Sequence, residues 1–170
     1  MVRSVIGAVL LAENPLSPYT IATILGFDIY DVLPLLSSAQ SLLMLQDDIN
    51  SPVQPFHKSF PDFIIDPDRC TNQRFHISPP HHHLQLLVSC LNLIDQLLER
   101  NMCKHACRSW HTHLTNTHAT TSVDPLKITS TLHWFLENNF FSWLEVLSVL
   151  GAVKNAVHAL QVAVDWLEVC

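Results

Sequence analysis

The stretch that decides the fold of the first part of the chain is Met44–Phe63, MLQDDINSPVQPFHKSFPDF. Residues 44–46 and 53–56 favour two short strands, and the polar residues between them favour a turn. Because Pro52 and Pro55 cannot donate to a sheet ladder, we expect the second strand to be an edge strand at best. The sequence therefore predicts a small β-hairpin here.

A short helix is predicted directly after the hairpin, beginning near His57. Phe56, Phe60, Phe63 and Ile64 recur at helical spacing, so we expect the helix to bury an aromatic face and to keep the imidazole at its start. Backbone donors and the helix dipole favour an anion at such a position. His57 is therefore the candidate binding residue, and the alternative is that it only caps the helix or packs beside the hairpin.

Three helices are predicted before the hairpin. Residues 2–13 are apolar nearly all round, which is typical of a helix buried on several sides. Ser17 is placed as the N-cap of the second helix, and Gly26 is placed to end it. The third helix begins near Asp28 or Asp31.

Three helices followed by a hairpin is the element order of a winged helix, a fold that often binds DNA. However, the sequence has no Lys or Arg between Arg3 and Lys58. The same region carries the acidic residues Glu13, Asp28, Asp31, Asp47 and Asp48. Acidic side chains repel backbone phosphates, so DNA binding is disfavoured and we expect the hairpin to contact a protein or a nucleotide.

The second half of the chain reads as a separate helical arm. Prolines and polar residues predict a linker over 67–82, after a winged-helix domain at 1–66. Residues 83–170 show an apolar stripe of helical period from Leu84 to Leu98, a predicted loop over 115–124 and two further helical patterns separated by Gly151. The last pattern has its expected core face at these positions: Val153, Val157, Leu160, Val164 and Leu167. The fold class is therefore mainly α, a winged-helix domain followed by a helical bundle or the start of an α-solenoid.

Composition restricts the class of protein. The 170 residues are 48% hydrophobic and 14% charged, which is sufficient for a buried core, and the net charge of −6 disfavours a general nucleic-acid binder. Five cysteines form an odd count without a regular spacing, which is typical of a reducing compartment. Charged residues interrupt every apolar stretch long enough for a membrane span. We therefore expect a cytoplasmic protein.

The sequence suggests two kinds of chemical site but favours neither. Cys103, Cys107 and His111 lie at helical spacing, and with residues 81–83, three consecutive histidines, they suggest zinc. No second pair of ligands at zinc-site spacing follows, so no metal ligand is assigned. The sequence also lacks G-x-S-x-G and G-x-x-x-x-G-K-[ST]. We therefore expect a non-enzymatic protein with no catalytic residue and no cofactor of its own.

Several strings in the sequence, taken in order, resemble the region that follows the nucleotide-binding core in fungal NACHT proteins, which belong to the STAND class of P-loop NTPases and often carry WD repeats. The most specific is Phe56-His57-Lys58-Ser59-Phe60-Pro61-Asp62-Phe63. The others are Val5–Ala12, Leu16-Ser17 with Ile21-Ala22 and Leu25-Gly26, Cys90-Leu91, Asn101–Lys104, Ala106–Trp110 and Trp143–Ser148. One departure is that Lys104-His105 joins two strings that family members usually separate by a spacer.

The resemblance implies a regulatory and interaction module of a signalling NTPase. In that family the winged helix packs on the NACHT nucleotide-binding domain, normally in the same chain, and a histidine at the position of His57 senses the bound nucleotide. ADP or ATP would then be bound only when a nucleotide-binding domain is supplied. Self-association into a homo-oligomer is a further expectation. The alternatives are a truncated gene product without independent function and, least favoured, a DNA-binding winged helix.

Overall fold

The computed structural model describes residues 1–96, 104–117 and 124–169, and these residues are mainly helical. They form two compact units, Met1–His82 and His83–Cys170. No described helix is long and apolar enough to cross a membrane. The described elements are α1 Val2–Leu11, α2 Pro18–Leu25, α3 Ile29–Ser38, β1 Leu43–Met44, β2 Gln54–Pro55, α4 Ser59–Ile64, α5 Pro79–Gln96, α6 Lys104–Thr115, α7 Pro125–Asn138, α8 Phe140–Val149 and α9 Lys154–Val169.

The first three helices begin and end largely where local signals predict. The Ser17 hydroxyl accepts a hydrogen bond from the backbone N–H of Thr20 at 3.2 Å, which caps α2. Gly26 ends α2 with φ of 67°, a conformation that suits glycine because it has no Cβ. Asp28, not Asp31, caps α3, since its carboxylate accepts from the N–H of Tyr30 at 2.8 Å.

The hairpin is present but shorter than predicted. β1 and β2 are antiparallel, with Leu43 opposite Pro55 and Met44 opposite Gln54. The second strand begins after Val53 because the Val53 N–H donates to the carbonyl of Leu16, 2.9 Å away, in the loop between α1 and α2. The hairpin is therefore held to the helices by a backbone bond as well as by its own pairing.

The expectation that α4 buries an aromatic face is wrong. Ile64 is buried, but Phe56 is 60% exposed and Phe63 is 42% exposed. A helix of six residues has fewer than two turns, so it cannot turn all of its apolar side chains toward the core. The first unit thus carries exposed aromatic side chains beside His57.

The core of the second unit is aromatic. Trp110 of α6, Phe135 of α7 and Trp143 of α8 are each fully buried, with ring centroids 5.6 to 5.8 Å apart in edge-to-face arrangements. The indole N–H of Trp143 donates to the carbonyl of Cys107 at 2.9 Å, so this buried donor is satisfied. These contacts fix α6 against α7 and α8.

Three sequence expectations for the second unit need correction. The helix expected to begin near His83 already begins at Pro79. The single pattern expected before Gly151 is divided at Asn139 into α7 and α8. In α9 the buried face consists of small residues and one tryptophan, whereas Val157 of the predicted core face is 76% exposed. The buried residues of α9 are Ala156, Ala159, Ala163 and Trp166. Small side chains allow another helix to approach closely, and α6 packs on α9.

Candidate functional site

His57 lies at the start of α4 with its imidazole exposed. The backbone N–H of Ser59 donates to Nδ1 of His57 at 3.1 Å, and the Ser59 hydroxyl is 2.8 Å from the same nitrogen. An Nδ1 that accepts a backbone N–H carries the lone pair, so the proton of the neutral ring is on Nε2. The side chain therefore accepts from the first N–H of α4 through one nitrogen and offers a donor through the other.

Beside α4, the first unit contains a cavity of about 440 Å³. Its aromatic lining comes from Phe60, Phe63 and Phe75, which we call the aromatic surface. A cavity of this size with an apolar lining is within the range of binding sites. The first unit thus offers an apolar concave surface that is lined in part by α4, the helix that follows His57.

Two arginines contribute charge to the lining of the cavity. The Arg69 guanidinium carbon lies 5.8 Å from the ring centroid of Phe63, a cation–π arrangement. Arg3 donates from its guanidinium to the carbonyl of Gln73 at 3.2 Å. Both guanidinium groups therefore have partners within the first unit, and the rest of the cavity lining is mainly apolar.

Acidic side chains are exposed on the elements that would face DNA in a winged helix. Asp28 and Asp31 at the start of α3 are exposed, as are Asp47 and Asp48 in the turn of the hairpin. Asp48 also organises the turn, because its carboxylate accepts from the N–H of Asn50 at 2.9 Å. This charge would repel a phosphate backbone.

The residues that suggested zinc in the sequence do not come together. Cys107 is buried, with its carbonyl accepting from Trp143, and the ring of His111 packs edge-on against that of His158 at 5.1 Å. His81 is exposed, and His82 is buried in the first unit. Cys103 lies outside the described residues. A grouping of Cys107 with His111 and the histidine triplet, which the sequence suggested but did not favour, is therefore not observed in the described part of the chain.

A different histidine and cysteine group is present between α5 and α6. Cys90, His105 and His113 each offer a ligand atom, and the three atoms lie within 4.8 Å of one another. His83, the last residue of the triplet, is next to this group, with its Nδ1 3.1 Å from Nδ1 of His113. We call Cys90, His105 and His113 the α5–α6 cluster.

The spacing in the sequence is compatible with the α5–α6 cluster. His83 and Cys90 are seven residues apart, which is close to two helical turns, and His105 and His113 are eight apart, which leaves them about 80° apart around the helix. Positions 105 and 113 face away from positions 107 and 111 on α6. What the sequence could not supply is that these two faces meet.

Two places in the described chain thus combine polar side chains with a defined environment: His57 beside the aromatic surface in the first unit, and the α5–α6 cluster in the second. The first is exposed and its ring is oriented by a backbone bond. The second is mostly buried. No protein-family model, curated protein or solved structure matches the chain, so the function of both places is argued from their geometry.

Proposed function

We propose that the chain is a non-catalytic regulatory and interaction module in which a winged-helix domain docks on a NACHT-type nucleotide-binding domain and His57 contacts the bound nucleotide. The observation that carries the proposal is the hydrogen bond from the Ser59 N–H to Nδ1 of His57, which directs the ring proton to the exposed Nε2. A ring N–H at Nε2 can donate to a phosphate oxygen, and loss of that bond on nucleotide exchange would bias the docked state.

The surroundings of His57 support a docking role. Phe63 and Phe75 are 42% and 53% exposed, and the cavity that they line could receive apolar side chains of a partner domain. Aromatic side chains are common at the centres of protein interfaces. Docking would cover the aromatic surface and place His57 at the edge of the interface, near a nucleotide held by the partner.

The exposed acidic residues favour this proposal over a DNA-binding winged helix. Asp28 and Asp31 at the start of α3, together with Asp47 and Asp48 in the turn, leave the elements that would read DNA without a cation. A protein partner does not carry the repulsive phosphate charge of a duplex. The proposed site of action is the cytoplasm, where the nucleotide-binding partner would meet its nucleotide.

The first experiment measures nucleotide release. The chain is joined to the nucleotide-binding domain of a fungal NACHT protein, and the dissociation of a fluorescent ADP analogue is followed for the wild type, His57→Ala and His57→Gln. Because a hydrogen bond to a charged group contributes about 1.5–3 kcal/mol, we expect about 10- to 100-fold faster release from His57→Ala. Glutamine retains a donor, so we expect His57→Gln to restore part of the effect.

The matched control is His133→Ala, which removes another exposed histidine, one that is 3.1 Å from Glu137 on α7. We expect this variant to release ADP like the wild type.

A second pair of variants tests docking in trans: Phe63→Ser should weaken binding of the nucleotide-binding domain, while Phe141→Ser, at an 82% exposed phenylalanine of the second unit, should not. Equal release rates for the wild type and His57→Ala in a nucleotide-loaded protein would refute the sensor role.

A further inference from the structure

The α5–α6 cluster has a geometry that is independent of the proposed docking role. Cys90 comes from α5 and the two histidines come from α6, so the ligand atoms converge from two helices of the same unit. The ligand atoms of tetrahedral zinc with nitrogen and sulfur ligands are about 3.3–3.6 Å apart, from bond lengths near 2.0–2.3 Å. The observed separations of up to 4.8 Å require only small side-chain movements to reach this geometry.

His113 has a buried ring nitrogen without a hydrogen-bond partner among the described residues. This nitrogen is Nε2, and the side chain is fully buried at 0% exposure. Its other nitrogen, Nδ1, is 3.1 Å from Nδ1 of His83, so one of the two rings donates to the other. Buried polar atoms in proteins are nearly always paired, and an exception points to a missing partner such as an ion.

The contact with His83 explains how Nε2 of His113 would be prepared for a metal. When His113 donates its Nδ1–H to His83, the lone pair of the neutral ring is on Nε2. Metal-bound histidines generally donate their other ring N–H to a nearby acceptor, which fixes the tautomer and the ring orientation. His83 therefore acts as a positioning residue that holds the ring of His113.

The donor set selects the class of metal. One cysteine sulfur and two imidazole nitrogens suit zinc, whereas calcium and magnesium require oxygen ligands. We propose that Cys90, His105 and His113 bind one zinc ion, which links α5 to α6, and that His83 positions His113 for it. The site differs from the grouping of Cys103, Cys107 and His111 that the sequence suggested. A tetrahedral site would complete its fourth position with water.

The test uses the full chain after removal of metal with a chelator under reducing conditions. Zinc is titrated against a chromophoric chelator to obtain affinity and stoichiometry, and Co²⁺ replaces zinc for spectroscopy. We expect one ion per chain, a thiolate-to-cobalt charge-transfer band and d–d bands of the intensity typical of tetrahedral cobalt. The absence of stoichiometric zinc binding, or octahedral cobalt bands without charge transfer, would overturn the proposal.

Variants then identify the ligands. We expect Cys90→Ser to remove the charge-transfer band, and Cys90→Ser and His113→Gln each to lower zinc affinity by at least about 100-fold. His83→Ala should lower it by about 10- to 100-fold while the cobalt spectrum stays tetrahedral, because it removes a positioning contact. The matched control is Cys107→Ala, since Cys107 is also buried on α6 but lies outside the cluster.

Two readouts keep the test independent of folding defects. The wild type alone must show the cobalt spectrum, so a variant that fails to fold does not decide the result. Because Cys90 is buried, its alkylation requires transient opening of the unit, and in the wild type zinc should slow that alkylation, with the modified residue located by mass spectrometry. If Cys107→Ala removes the charge-transfer band and Cys90→Ser leaves it, the assignment is wrong.

Discussion

His82 and His113 are both buried histidines, one in each unit, and they differ in how their ring nitrogens are satisfied. His82 donates from Nδ1 to the carbonyl of Ser78 at 2.9 Å and packs its ring against Gly7. His113 bonds to another histidine, and its Nε2 has no partner among the described residues. The first histidine is accounted for by packing and a helix hydrogen bond. The second has a buried polar atom that packing does not explain, which is why only the second supports a metal.

The largest effect is expected from the packing that holds α6, and with it His105 and His113. Trp143→Ala removes a fully buried indole, its contacts with Trp110 and its hydrogen bond to Cys107. We expect the free energy of unfolding to fall by about 3–5 kcal/mol, because a large cavity is left and the Cys107 carbonyl loses its donor. Urea unfolding followed by circular dichroism measures the change.

The control for this prediction is Trp134→Ala in α7, where the side chain is 41% exposed. We expect a loss below about 1 kcal/mol for it, since a half-exposed side chain leaves no closed cavity. If both tryptophan variants lose the same stability, the aromatic core does not have the role assigned to it. Trp143→Ala should in addition weaken zinc binding, because it loosens the helix that carries two ligands.

A smaller effect is expected where His82 packs in the first unit. A Cβ at Gly7 would collide with Cδ2 of His82 and lie 3.1 Å from its Cγ. We therefore expect Gly7→Ala to destabilise the protein by about 1–3 kcal/mol, the usual cost of overpacking. The measurement is again urea unfolding.

The double variant distinguishes the clash from a general effect on α1. In a His82→Ala background the ring is gone, and alanine has the higher helix propensity, by up to about 1 kcal/mol. Gly7→Ala should then be neutral or stabilising. A destabilisation of the same size in both backgrounds would show that contact with His82 is not the reason for glycine at this position.

The smallest expected effect is a pH dependence of stability that depends on His82. Burial lowers the pKa of His82 below its ordinary value of 6.5, and the positive charges of His81 on α5 and Arg3 on α1 add to this, while the hydrogen bond to Ser78 opposes it. The unfolded chain therefore binds a proton as the pH falls below 6.5, before the folded ring does. Stability from the neutral ring is fully present above that pH and declines on acidification.

This prediction is checked by comparing the wild type with His82→Gln in urea at about pH 7.5 and about pH 5.5, values on either side of an ordinary histidine pKa. The advantage of the wild type over the variant should shrink at the lower pH. His81→Gln removes the exposed neighbouring charge that adds to the shift, so it should reduce the pH dependence only in part, because burial is the larger cause. A wild-type advantage that is equal at both pH values would contradict the assignment.

Sequence signals were reliable where the deciding contact is local. The Ser17 cap, the glycine end of α2 and the break at Gly151, with φ of 63°, depend on neighbouring residues, so they could be predicted. The bond between His57 and Ser59 is equally local, since it spans only two positions. The contact of His57 with a nucleotide stays a prediction.

The sequence did not predict which face of a helix is buried where two faces have similar hydrophobic patterns. In α9 both an alanine face and a valine stripe have helical period, and periodicity alone cannot rank them. The structure buries Ala156, Ala159 and Ala163, because these small residues allow α6 to approach, and leaves Val157 exposed. Likewise, the aromatic residues around α4 matched a helix face, but the helix is too short to bury them all.

The sequence by itself determined the mainly helical class, the local caps and turns, and the acidic surface, because each depends on composition or on residues close in the chain. Only the tertiary structure decided that Cys90 meets His105 and His113, and that Cys107 and His111 face elsewhere. The physical reason is that a ligand set drawn from two helices depends on how those helices pack, and packing is set by side-chain size across the whole unit.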